Sequence, residues 1–370
     1  MKKYIFCFLS ILIFASCNDM RDVEAPTDLP DAAKNDWGRM FVLCEGLFNS
    51  NNSTLVCIDF NTQKLYRDFF NEFGNNRRGL GDTANDMVLF NNQLWIVVTV
   101  SSQIEVVDVI TGRSIRQIPM FREENGRRIA RQPRSIVFYN NKAYVCSFDG
   151  TVSRINVQTF EVEATITVGR NPDGITVANG KLYVANSGGL DTHLGLGFDN
   201  TVSVIDIENF EKINTIEVGI NPHRIKANSQ GDVFLVSRGN HADIQPKLQR
   251  IDSRTDELVQ TFYDLAVVNF VIRNDTIYMY NFDFQYETYW VKVFCSINKK
   301  IISEQFITDG TTFQRPFAIY AHPITGDIFI ADAKNHIQNG TIFSFDRNGR
   351  LRYKIEDIGL NPNTFIFVDM

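Results

Sequence analysis

Beyond its first residues the chain has no apolar run approaching the ~18 residues of a transmembrane helix, so no segment of it reads as a membrane span. Charge of one sign is scarce. The 37 Lys and Arg against 43 Asp and Glu leave a formal −6, and a mildly acidic surface excludes a nucleic-acid partner, whose phosphates need a basic face. The six cysteines contain no CxxC pair, which argues against a zinc site. The five histidines show no His-x-x-x-His or His-x-Glu spacing. A Gly-x-Ser-x-Gly elbow, a phosphate-binding Gly loop and a dinucleotide fingerprint are all missing. Long stretches of 3.6-residue period are missing too, and with them a helical fold.

What is present begins with an export signal. Lys2 and Lys3 precede an uncharged run from Tyr4 to Ala15, and Phe14-Ala15-Ser16-Cys17 sets small residues directly before a cysteine. That is the architecture of a signal peptide over residues 1–16, too short for a permanent span. The placement of Cys17 resembles a bacterial lipoprotein signal, with Phe14 where Leu is usual; the resemblance implies cleavage before Cys17 and lipidation of its sulfur. Loss of the two lysines takes the mature charge from −6 to −8. Residues 17–37 are polar, Pro-punctuated and aperiodic, so they are expected to form a flexible tether. Asn18 with acidic residues behind it resembles the export context of Bacteroidetes surface lipoproteins. The implied location is the outer membrane, lipid-anchored, at the cell surface.

From residue 38 to 370 the sequence repeats. The clearest unit opens Asn171-Pro172-Asp173-Gly174-Ile175 and turns at Asn179-Gly180. It continues through Lys181–Ser187 and Asn200–Asp206, and closes over Glu211–Gly219. Four alternating strands within about fifty residues make one propeller blade. Inner strands are expected to start near Asn85, Pro133, Pro172, Pro222, Asn269, Pro316 and Pro362. A Pro at a strand start costs no ladder hydrogen bond. Met40–Phe70 supplies three strands without an inner one, and Asn361–Val368 supplies an inner strand without a blade. Pairing them gives an all-β, seven-bladed β-propeller whose C-terminal strand closes the ring on the N-terminal blade and removes exposed edges. Cys44 and Cys57 flank a hairpin and read as two small buried hydrophobes, with a disulfide as the alternative.

Lys181-Leu182-Tyr183-Val184-Ala185-Asn186-Ser187, with Asn200–Asp206 and Ile216-Glu217-Val218-Gly219, resembles the YVTN repeat of the YncE-like propeller family. The opening Met40–Leu55, with its Glu45-Gly46 and Asn51-Asn52-Ser53, resembles Bacteroidetes surface propeller lipoproteins, a group that includes the BtuG-type cobalamin-capture proteins. Cys44 stands where that group usually has Asn. The resemblance implies a ligand such as cobalamin and an outer-membrane transporter as partner.

Loop length supplies a separate argument. Strand one-to-two and three-to-four turns are short. The opposite face receives the long connections, among them 45–52, 187–200, 238–247, 282–289 and 333–339, as well as 72–84, 121–132 and 308–315 between blades. Elaboration of one face over a rigid scaffold presents binding loops. That face offers candidate ligand-binding residues Phe48, Asn51, Asp86, Arg134, Asp173, His223, Arg224, Arg238, Tyr286 and Arg315, a set of Arg and aromatic anchors with adaptable polar groups. Arg134, Asp173, His223 and Arg224 follow inner-strand prolines and are expected at the mouth of the central channel. The reading is a non-enzymatic capture protein without cofactor or metal. The alternatives are a protein- or glycan-binding scaffold, and a lactonase-like hydrolase with calcium held by Asp86, Asp173 and Asn363. A quinone-dependent dehydrogenase is disfavoured, because Trp37, Trp95 and Trp290 do not recur by blade.

Overall fold

A computed structural model describes residues 24–73, 75 and 78–369. Seven antiparallel sheets follow one another around a ring. Blade two runs Ala84–Phe90, Gln93–Val98, Gln103–Asp108 and Ser114–Pro119. Blades three to seven begin with the inner strands Pro133–Tyr139, Pro172–Ala178, Pro222–Ala227, Asn269–Arg273 and Pro316–Ala321, and each adds three more strands in chain order. Blade one takes Arg39–Cys44, Thr54–Asp59 and Lys64–Tyr66 from the start of the ring and Pro362–Val368 from its end. Arg39 pairs with Val368 and Phe41 with Ile366, which is the ring closure expected from the sequence.

The alternation of each strand explains the packing. In blade four, Leu182 and Val184 join a core shared with blade three, while Tyr183 and Ala185 join one shared with blade five. Seven such apolar clusters occupy the seven blade interfaces. Trp95 is fully buried in one of them, edge-on to Phe138 at 5.3 Å. Inner hairpins turn through left-handed pairs such as Asn91-Asn92, Asn140-Asn141 and Asn179-Gly180, the geometry that matches the strand twist. Cys44 and Cys57 are buried free thiols. Cys44 sits opposite Thr54 and faces blade seven, whereas Cys57 sits opposite Phe41 and faces blade two, so the two sulfurs lie on different sides of the sheet.

The expected tether is corrected over its described part. Thr27–Asp28 pairs with Lys64–Leu65 as a fifth strand of blade one, and Leu29 and Ala33 are buried. Asp36 accepts hydrogen bonds from Arg352 (Nη1, 3.1 Å) and from the Tyr353 hydroxyl (2.5 Å), while Trp37 meets Phe367 edge-on. The apolar Leu29, Ala33 and Trp37, spread through a polar stretch, are what fasten it. The signal segment and Cys17 lie outside the described residues.

Candidate functional site

The inner strands share an irregularity that builds the site. In six of the seven, the register slips just after the first residue. The shifts fall at Ala84/Asp86, Pro133/Ser135, Pro172/Gly174, Pro222/Ile225 and Pro316/Ala318, and in the closing strand between Pro362 and Thr364. A bulged residue has no partner on the neighbouring strand and is re-aimed. The residues so released are Asn85, Arg134, Asp173, His223, Arg224, Phe317 and Asn363, and all seven line one cavity of about 900 Å³ at the channel mouth. Blade six pairs without a slip, and its Asn269 lines the cavity too.

Side chains and loops complete the walls. Arg238 and the segment His241–Pro246 come from blade five, Tyr280–Gln285 from blade six, and Arg315 and His336 from blade seven. The 238–246 loop is fixed by Asn240, whose Oδ1 accepts from Ala242 N (3.0 Å) and Ile244 N (2.9 Å). It closes over Gly239 at φ 72°, where any Cβ would lie 1.8 Å from the Ile244 carbonyl oxygen. Phe282 and Phe284 meet edge-on at 4.9 Å, and the Arg315 guanidinium sits 5.2 and 5.5 Å from their ring centres. Arg134 stacks on Phe148 at 4.5 Å.

The electrostatics divide the cavity. Arg134 Nε lies 2.7 Å from Asp173 Oδ1, and His223 Nε2 lies 3.6 Å from Asp173 Oδ2. Burial would raise the Asp173 carboxyl, but the Arg134 and Arg238 guanidiniums outweigh it and hold it well below the ordinary carboxylate range. Burial, reinforced by Arg238, holds the His223 imidazole neutral. Burial pushes the Glu45 carboxyl up and the Lys226 ammonium and the Arg238 guanidinium down, and it raises the Tyr280 phenol to about 12. Several buried atoms in these walls have no hydrogen-bond partner among the described residues: Arg224 Nε, Arg315 Nε, His223 Nδ1 and Asn363 Oδ1. These four atoms are closed off from the cavity as well as from outside water, as are Arg154 Nε and Arg250 Nε elsewhere in the ring, so a ligand would meet these residues through their other atoms.

Seven of the ten candidate residues therefore meet in the cavity: Asp86, Arg134, Asp173, His223, Arg224, Arg238 and Arg315. Asp86 is there for another reason. Its carboxylate accepts from Met87 N (3.0 Å), Ser135 Oγ (2.6 Å) and Ile136 N (3.0 Å), which staples blade two to blade three. The other three candidates lie outside. Phe48 is 72% exposed, and Asn51 serves through its backbone, donating to Asp82 Oδ2 at 3.0 Å. Tyr286 is 69% exposed at the tip of a turn pinned by Asp283.

Sequence reasoning passed over Glu45, Lys226, Tyr280, Phe282 and Phe284. For Phe282 a signal existed. Half of the segment 282–289, expected as a loop, belongs to longer strands, Thr276–Asp283 and Thr288–Cys295, and Phe282 continues their alternation, while Phe284 lies in the turn between them. Among the described residues no group of three or more His, Cys, Asp or Glu is placed to share a metal ion, and no helix is long and apolar enough to cross a membrane. Asp86 and Asp173 do not offer a calcium site, since their oxygens already face hydrogen-bond donors and cations.

Ring and cavity together define a class: a β-propeller of the kind that serves as a ligand- or protein-binding scaffold, with a cavity at the channel mouth. Residues 38–357 match the family described as Domain of unknown function (DUF5074), and the chain belongs to that family. A comparison with curated protein sequences finds no match. The fold is similar to that of a quinonprotein alcohol dehydrogenase-like protein from Bacteroides thetaiotaomicron (TM-score 0.62, 14% identity, 89% of this chain and 78% of that one). It is similar also to Kuenenia stuttgartiensis hydrazine synthase (TM-score 0.56, 17% identity, 70% and 74%). A chain of the mitotic checkpoint complex gives a TM-score of 0.56 at 10% identity over 97% and 90%. At these identities the likeness is one of fold alone.

Proposed function

We propose that this protein captures a polar organic ligand in the channel-mouth cavity and hands it, chemically unchanged, to an outer-membrane transporter. It would do so at the cell surface, anchored through a lipid on Cys17. The observation that carries the capture reading is the convergence of all seven bulge-released residues on one cavity of about 900 Å³. The aromatic wall of Phe282, Phe284 and Phe317 supplies apolar contact, and a rigid ring keeps the ordering cost of binding low. The resemblance of Met40–Leu55 to cobalamin-capture lipoproteins makes a corrinoid the first ligand to try. Titration calorimetry with cyanocobalamin at micromolar protein tests it: saturable heat, abolished by Phe284→Ala, is expected, and no heat would set the corrinoid aside.

A second reading, recognition of a polypeptide or glycan, has its own observation. The loops of the same face expose Phe48, Leu194, Leu196, Phe284, Tyr286 and Ile337. A ring of exposed apolar side chains around a polar cavity is the dress of a macromolecular interface. Binding unaffected by Phe284→Ala but lost with Phe48→Ala and Tyr286→Ala together would favour it.

A further inference from the structure

We infer that the group this cavity recognises is an acidic oxygen, a carboxylate or a phosphate, carried on a body that also offers hydroxyl or amide donors. The inference rests on the capture reading and names the class of ligand.

It follows from how the charges in the cavity are spoken for. Five cations line it: Arg134, Arg224, Lys226, Arg238 and Arg315. Arg134 is matched by Asp173, and Lys226 is drawn to Asp86. Of the two other acids that line the cavity, Glu45 is pressed toward its neutral form by burial, and Asp283 accepts from Gln285 N (2.9 Å) and Tyr286 N (3.1 Å) of its own turn. Arg224, Arg238 and Arg315 are left without a carboxylate within 4.0 Å among the described residues, in contrast to Arg78, Arg131, Arg250 and Arg352 elsewhere in the ring, each of which has one. Arg224 and Arg238 stand close enough to act on both His223 and Tyr280. Arg315 approaches from blade seven, its guanidinium 5.2 and 5.5 Å from the ring centres of Phe282 and Phe284.

A guanidinium that lines a cavity without a carboxylate partner keeps N–H groups for a carboxylate or phosphate, which it binds best through two parallel hydrogen bonds. Desolvated cations without a counter-charge are costly, and an incoming anion removes that cost. The same cavity is lined by the side-chain amides of Gln245 and Asn281, which suit hydroxyl or amide groups on the ligand. An anionic head with hydroxyls behind it, resting an apolar face on phenylalanine rings, is the chemistry of a sugar acid or a sugar phosphate.

Matched pairs test this. D-galacturonate against D-galactose and glucose 6-phosphate against glucose differ only in the acidic group, and each is used at up to 20 mM with ionic strength held constant. Thermal melting and calorimetry should show the acidic member of at least one pair binding tenfold or more tighter than its neutral partner. Which pair responds distinguishes carboxylate from phosphate. Arg224→Gln and Arg315→Gln, taken singly, should each erase most of the advantage while leaving the melting midpoint without ligand within a few degrees of wild type, which shows the ring intact. Equal binding of acidic and neutral members would overturn the inference and leave the capture reading standing. An acidic advantage that survives both substitutions would overturn it as well, by placing the anion elsewhere. No response to either acidic member also overturns it; if cyanocobalamin too gives no heat, the capture reading falls with it.

Discussion

Asp173→Asn keeps the shape of the side chain and removes one charge. In the folded ring Asp173 and Arg134 stand 2.7 Å apart with side chains only 8% and 12% exposed, so water screens them little. Removing one member of such a pair strands the other charge, at a cost of about 3–5 kcal/mol. The Asn can still accept one hydrogen bond from Arg134, which places the expected loss near the lower end, about 3 kcal/mol. An unfolding entropy of about 2.1 cal/mol/K per residue, over roughly 330 residues from Gly38 onward, gives about 0.7 kcal/mol per degree, so the melting midpoint should fall by about 4 °C. The pH dependence has a definite sign. The folded carboxyl is held below its ordinary value of 3.8. Its stabilisation is therefore fully present above the unfolded value and is lost as pH falls through the folded one. Scanning calorimetry on both proteins should show a constant gap from pH 8 to 5 that narrows below about pH 4. A gap under 1 °C at pH 7, or one that widens on acidification, would refute the pairing argument.

Glu45 titrates in the opposite sense. Its folded value is raised by burial, so its contribution is greatest below about pH 4.5 and is lost as pH rises; Glu45→Gln should gain stability relative to wild type between pH 5 and 8 in a series of melts, and a falling difference would contradict this. Gly174→Ala places a Cβ 2.1 Å from the His223 carbonyl oxygen of the next blade. Overpacking of this kind costs about 1–3 kcal/mol, and because the strand that must yield carries His223 and Arg224, ligand affinity measured by calorimetry should fall with it. Asp36→Ala removes the shared partner of Arg352 and Tyr353. Charge-assisted hydrogen bonds are worth about 1.5–3 kcal/mol, and limited proteolysis should then cut before Gly38 several times faster while the ring stays resistant.

The fold was legible because its signals are local and repeated. Second strands at Gln93–Val98, Lys142–Ser147, Lys181–Asn186 and Asp232–Ser237 stand where alternation and turn residues place them. Ring closure was legible for a stoichiometric reason: one strand too few at the start and one too many at the end. The packed N-terminal strap escaped, because Leu29 and Ala33 are too few to make a period, and their burial depends on surfaces of blades one and seven that lie far away in the sequence; the hairpin of Phe121–Glu124 with Arg127–Ala130 and the strand ends within 282–289, all expected as loops, escaped as well.

The site divides along the same line between local and distant causes. Arg134, Asp173, His223 and Arg224 were readable because the proline that starts each strand also marks the bulge, and the bulge aims the next residue at the axis. Asp86 was readable as a position but not as a role, since Ser135 and Ile136, which consume its carboxylate, belong to another blade. Phe48, Asn51 and Tyr286 sat on long loops of the right face, yet loop length says nothing of where a tip points. Residues placed by backbone geometry reached the cavity, whereas of those placed by loop membership only Arg238 and Arg315, each directly adjoining a strand end, did. The same reasoning ranks the arginines. Arg224, set by a bulge on an inner strand, is the more rigidly aimed; Arg315 depends on the Phe282 and Phe284 rings beneath it. Loss of those rings should therefore weaken the grip of Arg315 on an anion while leaving that of Arg224 in place.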